Sequence, residues 1–117
     1  TATAGTNAVT LQSSTLFQAG TAAAFTNGAF GGTGNDDNGG NANGGTARVT
    51  VDNARFDLLA GTLDIGTSAT GGAGLGATAT SITGGSANAG VAQLVLRGGA
   101  DLNLGNLTLT STALGGS

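Results

Sequence analysis

A glycine-bounded block of β-like sequence occurs three times in this 117-residue chain, and self-similarity of that kind restricts the fold more than composition does. The copies open at Gly5, Gly45 and Gly90. Four residues after each opening glycine a strand-like run begins: Val9-Thr10-Leu11, Val49-Thr50-Val51 and Leu94-Val95-Leu96. Each copy then carries an apolar residue (Leu16, Phe56 or Leu102) and a glycine (Gly20, Gly61 or Gly105). An alternating pair follows (Ala22/Ala24, Leu63/Ile65 or Leu107/Leu109), and then a double glycine (Gly31-Gly32, Gly71-Gly72 or Gly115-Gly116). Opening and double glycines are 26, 26 and 25 residues apart. The blocks are residues 5–32, 45–72 and 90–116 of a single repeat domain, 1–117.

Within a block apolar residues alternate with polar ones, and β-branched Val and Thr fill the runs, as in half-buried strands. Residues 33–44 and 73–89 lie between blocks. They are rich in Gly, Asn, Ala, Ser and Thr and unequal in length, so they read as inserts looping out on one side of a stack. Each block of about 26 residues is expected to form one coil of an all-β, short parallel β-solenoid of about three coils. Stacking the blocks predicts three apolar ladders: Val9/Val49/Leu94, Leu11/Val51/Leu96 and Leu16/Phe56/Leu102. The same register sets Asp52 over Arg97 and Arg55 over Asp101. Exposed ion pairs contribute at most about 1 kcal/mol, so these pairs matter as marks of register. An antiparallel β-sandwich is the competing all-β reading, but it buries two differently shaped sheet faces, whereas near-identical blocks suit identical coils.

Leu, Ile, Val and Phe make up about a fifth of the residues, close to the level below which chains cannot build a large two-layer core. With 24 glycines, each disfavouring a helix interior by about 1 kcal/mol, no helix is expected. The formal charge of −3 comes from three Arg and six Asp, with no Lys or Glu. Isolated Arg residues do not form the basic cluster that nucleic acid or an anionic membrane requires. No apolar run approaches the roughly 20 residues of a membrane span, and no signal-peptide order marks Thr1, so an exported protein would be represented here in mature form or as a fragment. Without Cys there are no disulfides or zinc thiolate sites.

Catalysis is hard to assemble from this alphabet, because no His, Cys, Lys, Tyr or Glu is present to act as base, nucleophile or polarising group. Paired Asp residues can hydrolyse glycosides, but Asp57 and Asp64 are expected to face solvent and no Trp or Tyr is present to stack a sugar. The chain is therefore read as not an enzyme. Gly31-Gly32-Thr33-Gly34-Asn35-Asp36 resembles the glycine-rich calcium repeats of secreted RTX toxins, which makes Asp36 and Asp37 the candidate calcium ligands. That family needs tandem copies and an apolar residue where Asn38 stands, so a plain polar loop without cofactor is the simpler reading. Thr78-Ala79-Thr80 hints at the threonine ladders of ice-binding solenoids but does not recur by coil.

Thr1 to Gly5 reads as the tail of an insert, and Gly115-Gly116-Ser117 stops where the next insert would begin, with no cap at either end. This predicts either an excerpt of a longer repeat protein or a subunit that stacks on copies of itself, head to tail. Residues 47–66 (ARVTVDNARFDLLAGTLDIG) and 92–110 (AQLVLRGGADLNLGNLTLT) resemble coils of autotransporter passengers and filamentous-haemagglutinin-like exoproteins. The resemblance implies a right-handed β-helix, secretion by a Gram-negative bacterium, and a role in adhesion or surface architecture. Two functions are expected from these readings. The first is an extracellular structural subunit or segment of a self-associating fibre, its ladder residues carrying assembly. The second is an adhesin that holds surface glycans through residues 33–44 and 73–89.

Overall fold

The computed structural model describes residues 1–76 and 81–117, so Thr78-Ala79-Thr80 lies outside the described residues. The chain is an all-β parallel solenoid of three coils. The first coil contains β1 (Ala2–Thr3), β2 (Thr6–Gln12), β3 (Leu16–Gln18), β4 (Ala22–Phe30) and β5 (Gly34–Asn35). The second contains β6 (Ala42–Asn43), β7 (Thr46–Asp52), β8 (Arg55–Asp57), β9 (Thr62–Thr70) and β10 (Gly74–Leu75). The third contains β11 (Ala87–Asn88), β12 (Val91–Arg97), β13 (Asp101–Asn103) and β14 (Asn106–Leu114). Like strands stack as β1-β6-β11, β2-β7-β12, β3-β8-β13, β4-β9-β14 and β5-β10. Every pairing between these strands is parallel, which removes the antiparallel sandwich.

Thr6, Thr46 and Val91 share one column, so a full turn takes 40 and then 45 residues, well beyond the 26 of the sequence block. The difference lies in residues 33–44 and, among the described residues, in 73–76 and 81–89, which are not simple loops. They form a small distal lobe and then a return leg, in which Ala42 sits between Ala2 and Ala87 and Gly34 pairs with Gly74. Such long, flattened coils give a Cα radius of gyration of 18.4 Å and extents of 61 × 23 × 13 Å. A compact chain of this length would have a radius near ~13 Å.

The outgoing and return legs of each coil converge, and side-chain size falls as they do. Along the inward face of β9 and just past its end come Leu63, Ile65, Thr67, Ala69 and Gly71. The third coil repeats this as Leu107, Leu109, Ser111, Ala113 and Gly115, and the first coil falls from Phe25 through Asn27 and Ala29 to Gly31, with the small Ala23 ahead of it. At the wide end Val49, Val51, Phe56, Leu58, Leu63 and Ile65 are fully buried, with the Phe17 and Phe56 rings stacked at 4.7 Å. Where the legs draw closer only alanine fits, and Ala29, Ala42 and Ala69 form a second, smaller cluster. The polar row between the two serves the corner where the return leg turns into the next strand. Asn27 Nδ2 donates to the Gly5 and Thr46 carbonyls at 3.0 and 2.6 Å, and Ser111 Oγ donates to the Gly90 carbonyl at 2.6 Å. The buried Thr67 hydroxyl donates to Ser111 Oγ at 3.3 Å.

Past the alanines the two legs touch backbone to backbone. One series of hydrogen bonds zigzags between them through all three coils. Gly40 N–H donates to Gly32 C=O at 2.7 Å, Gly72 to Gly40 at 2.9 Å, Gly85 to Gly72 at 2.8 Å and Gly116 to Gly85 at 2.8 Å. A β-carbon on Gly72 would collide with the carbonyl oxygens of Gly31 and Gly32, and one on Gly85 with the carbonyl oxygen of Gly40. The glycine pairs are therefore a waist rather than ordinary corners, and at Gly31, Gly72, Gly85 and Gly116 only a hydrogen side chain fits.

Two of the three expected ladders stand as predicted, since Val49 pairs with Val9 and Leu94, and Val51 with Leu11 and Leu96. The third is corrected in the first coil: Phe17, not Leu16, stacks on Phe56, which pairs with Leu102 on its other side, while Leu16 pairs with Arg55 and is 57% exposed. A separate shift at the next corner, where residues 19–21 of the first coil stand against the four residues 58–61 of the middle one, puts Ala23 and Phe25, not Ala22 and Ala24, over Leu63 and Ile65. The displacement of Leu16 arises at the bend after the first long strand. That bend holds Ser13-Ser14-Thr15 and Gly98-Gly99-Ala100 in the outer coils but only Asn53-Ala54 in the middle one.

The waist gives a direct test of close approach. Gly72→Ala should destabilise the fold by about 1–3 kcal/mol or more through overpacking against backbone that cannot yield. Gly32→Ala, at the same column one coil earlier with open space around an added β-carbon, should cost less than about 1 kcal/mol. Denaturant unfolding of the two variants measures the difference.

Candidate functional site

The ladders run off both ends of the stack. In the three-stranded sheets β7, β8 and β9 are central, which leaves β2, β3 and β4 on one edge and β12, β13 and β14 on the other. Each edge strand presents a row of backbone N–H and C=O groups to whatever lies beyond it. The apolar columns are open in the same places. Val51, Leu63 and Ile65 in the middle coil are 0% exposed, whereas their third-coil neighbours Leu96, Leu107 and Leu109 are 44–47% exposed. Phe30 at the end of β4 and Leu114 at the end of β14 are the most exposed large apolar side chains among the described residues, at 72% and 66%. The search for ladders missed this outward-facing pair because the middle residue of their column is Thr70.

Proteins usually protect such edges with charge, proline or bulges. Residues 1–35, which hold all of the first coil's strands, contain no charged side chain, and the whole chain has no proline. Two ion pairs join neighbouring coils, as the register predicted. Arg97 Nε meets Asp52 Oδ2 at 2.9 Å, and Arg55 Nε meets Asp101 Oδ2 at 3.5 Å. Arg48 Nε adds a bond to Gln93 Oε1 at 2.8 Å.

Asp57 departs from expectation, because its side chain is only 7% exposed. Its Oδ1 accepts from Leu59 N–H at 2.8 Å and from Asn103 Nδ2 at 3.0 Å, and its Oδ2 meets Arg55 Nη2 at 3.3 Å. Leu59 has a left-handed φ of 57°, a conformation costly for a residue with a β-carbon, and the Asp57 bond holds it in the turn before β9. Asp64 lies on the outward face of β9 and is partly exposed.

Asp36 and Asp37 lie in the distal lobe beside β5. Asp37 Oδ1 accepts from Asn38 N–H at 2.7 Å, and Asp37 bridges to Leu75. Among the described residues no three His, Cys, Asp or Glu side chains gather into a metal-holding group. Among the described residues, polar groups of the two inserts bond one another across coils. Asn41 Oδ1 accepts from Ser86 N–H at 2.9 Å and Oγ at 3.0 Å, Asn88 Nδ2 donates to Asn43 Oδ1 at 2.8 Å, and Asn38 Oδ1 accepts from Thr83 N–H at 2.9 Å. An outward groove of about 360 Å³ follows the bend across the coils, lined by Ser14, Thr15, Asn53, Arg55 and Asp101 among others.

The contrast between the acids can be measured. Asp57→Ala should destabilise by about 1.5–3 kcal/mol, since it removes charge-assisted bonds to a strained turn. Asp52→Ala, which releases the well-exposed Arg97, should cost less than about 1 kcal/mol. Thermal unfolding at constant pH compares them. No protein-family model, no curated protein and no solved structure matches this chain.

Proposed function

We propose that this chain is a non-catalytic structural unit, a subunit or segment of a self-associating fibre built by stacking β-coils end on end. The observation that carries the reading is the half-open state of the apolar columns at both edges. Val51, Leu63 and Ile65 are fully buried in the middle coil, whereas their counterparts Leu96, Leu107 and Leu109 at the third-coil edge stay nearly half exposed, on strands whose outward backbone groups face no further strand. Stacking a further coil covers apolar area and pairs backbone groups in the same step, the two terms that favour β-association most. Residues 1–35 offer no charge to oppose it.

The likeness of the coils to autotransporter and filamentous-haemagglutinin-like exoproteins supports a bacterial, extracellular setting, at the cell surface or in a biofilm matrix. The alternative is an adhesin that holds glycans through residues 33–44 and 73–89. It is the less favoured reading, because the polar side chains of the return leg are engaged with one another across coils.

Electron microscopy and fibre diffraction of the purified chain test the proposal. The expected result is unbranched fibres with a repeat of about 4.7–4.8 Å along the axis, from strands perpendicular to it. Leu96→Asp and Leu109→Asp should fold with little change in circular dichroism, because both sites are near half exposed, and should stay monomeric. A wild-type chain that remains monomeric at millimolar concentration would overturn self-association.

A further inference from the structure

Resting on that stacking reading, we propose that the occupant of the open edge is a second copy in one specific register. The third coil of one copy stacks on the first coil of the next with the column relation found inside the chain. Three observations lead to this arrangement.

The first is size. Extending the columns by one step sets Leu94 on Val9, Leu96 on Leu11, Leu102 on Phe17 and Leu109 on Phe25, and puts the large Leu107 against the small Ala23. The taper stays in phase, with Ser111 on Asn27, Ala113 on Ala29 and Gly115 on Gly31. Face-to-face pairing of like coils loses this phase. Turning a coil about its long direction lays β14 over the opposite leg, and turning it about the short direction lays the wide core over the glycine waist.

The second is the outer column of Phe30, Thr70 and Leu114. Inside the chain Thr70 separates the two apolar members. Across a head-to-tail junction Leu114 of one copy lies directly on Phe30 of the next, so the two most exposed large apolar side chains of the described residues cover each other.

The third is charge. Residues 1–35, which hold the first coil's strands, contribute no charged side chain, and the third coil's Arg97 and Asp101 are already engaged with Asp52 and Arg55, so across the junction they meet only Gln12 and Leu16. No like charges face each other.

The chain has no cysteine, which permits a clean test with the double variant Phe30→Cys/Leu114→Cys under mild oxidation. Within one chain these positions are two steps apart, ~9.6 Å at the usual strand spacing, too far for a disulfide. Across the proposed junction they are one step apart, ~4.8 Å, inside the Cα–Cα range that disulfides span. The expected result is a non-reducing ladder of dimers, trimers and higher species. Phe30→Cys/Ala113→Cys, whose second thiol faces inward, should give none. Fibres without a ladder would overturn the register while leaving stacking intact. Dimers from either single-cysteine variant would point to face-to-face pairing and overturn the head-to-tail arrangement. Absence of both fibres and ladder would overturn the stacking reading itself.

Discussion

The distance between the outgoing and return legs of each coil is the constraint on which the rest of this structure depends. Two β-legs that carry full-sized side chains keep a core's width between them, and where the legs meet backbone to backbone, as at Gly72 and Gly85, there is no room for even a methyl group. This chain passes from the first condition to the second within one nine-residue strand. The run Leu63, Ile65, Thr67, Ala69, Gly71 is that passage written in residue volumes; the third coil repeats it from Leu107, and the first coil follows it from Phe25 onward. Because the waist joins the legs through backbone bonds, the distal lobe is held at the end of a long lever, and its described residues form no apolar cluster of their own. The elongated outline follows.

The same economy explains why a chain with so few large apolar residues folds. A solenoid of flattened coils needs bulky side chains only at its wide end, and there each one is shared between the coils above and below. The middle coil receives that benefit twice. The outer coils receive it once, which is why burial changes so sharply from Val51 to Leu96 and from Ile65 to Leu109 at matched positions. An edge of this kind is a common aggregation hazard. Here it is long and uncharged on the first coil, and its columns match those of the opposite edge, so a hazard in a globular domain becomes a joint in a stack.

Much of this was legible in the sequence. The ladders beginning at Val9, Val49 and Leu94 are tied to their opening glycines by a fixed spacing with no bend between, and register there follows from counting. Counting fails at the first bend, where Ser13-Ser14-Thr15 is one residue longer than Asn53-Ala54 and the left-handed backbone of Ser13, Ser14 and Asn53 absorbs the difference. That single residue displaced Leu16 into a ladder that belongs to Phe17. Asp57 was misread because period two marks it as outward, and only the turn at Leu59 folds back to cover it. The inserts were misread for a different reason. Asn41 with Ser86 and Asn43 with Asn88 form columns of unlike or merely polar residues, and nothing in such composition announces pairing.

The double glycines carry the clearest lesson about inference from small residues. A glycine needed for a left-handed corner and a glycine needed for backbone contact look identical in sequence, yet they differ in what surrounds them. A corner stands alone beside polar turn residues, as Gly98 and Gly99 do at the bend with φ of 62° and 77°. A contact site stands at the end of a descending series of inward residues, and it recurs on the opposite leg, as Gly39-Gly40 and Gly84-Gly85 recur opposite Gly71-Gly72. The descending series, more than the glycines themselves, marks where two legs of a solenoid meet, because volumes must fall before backbones can touch.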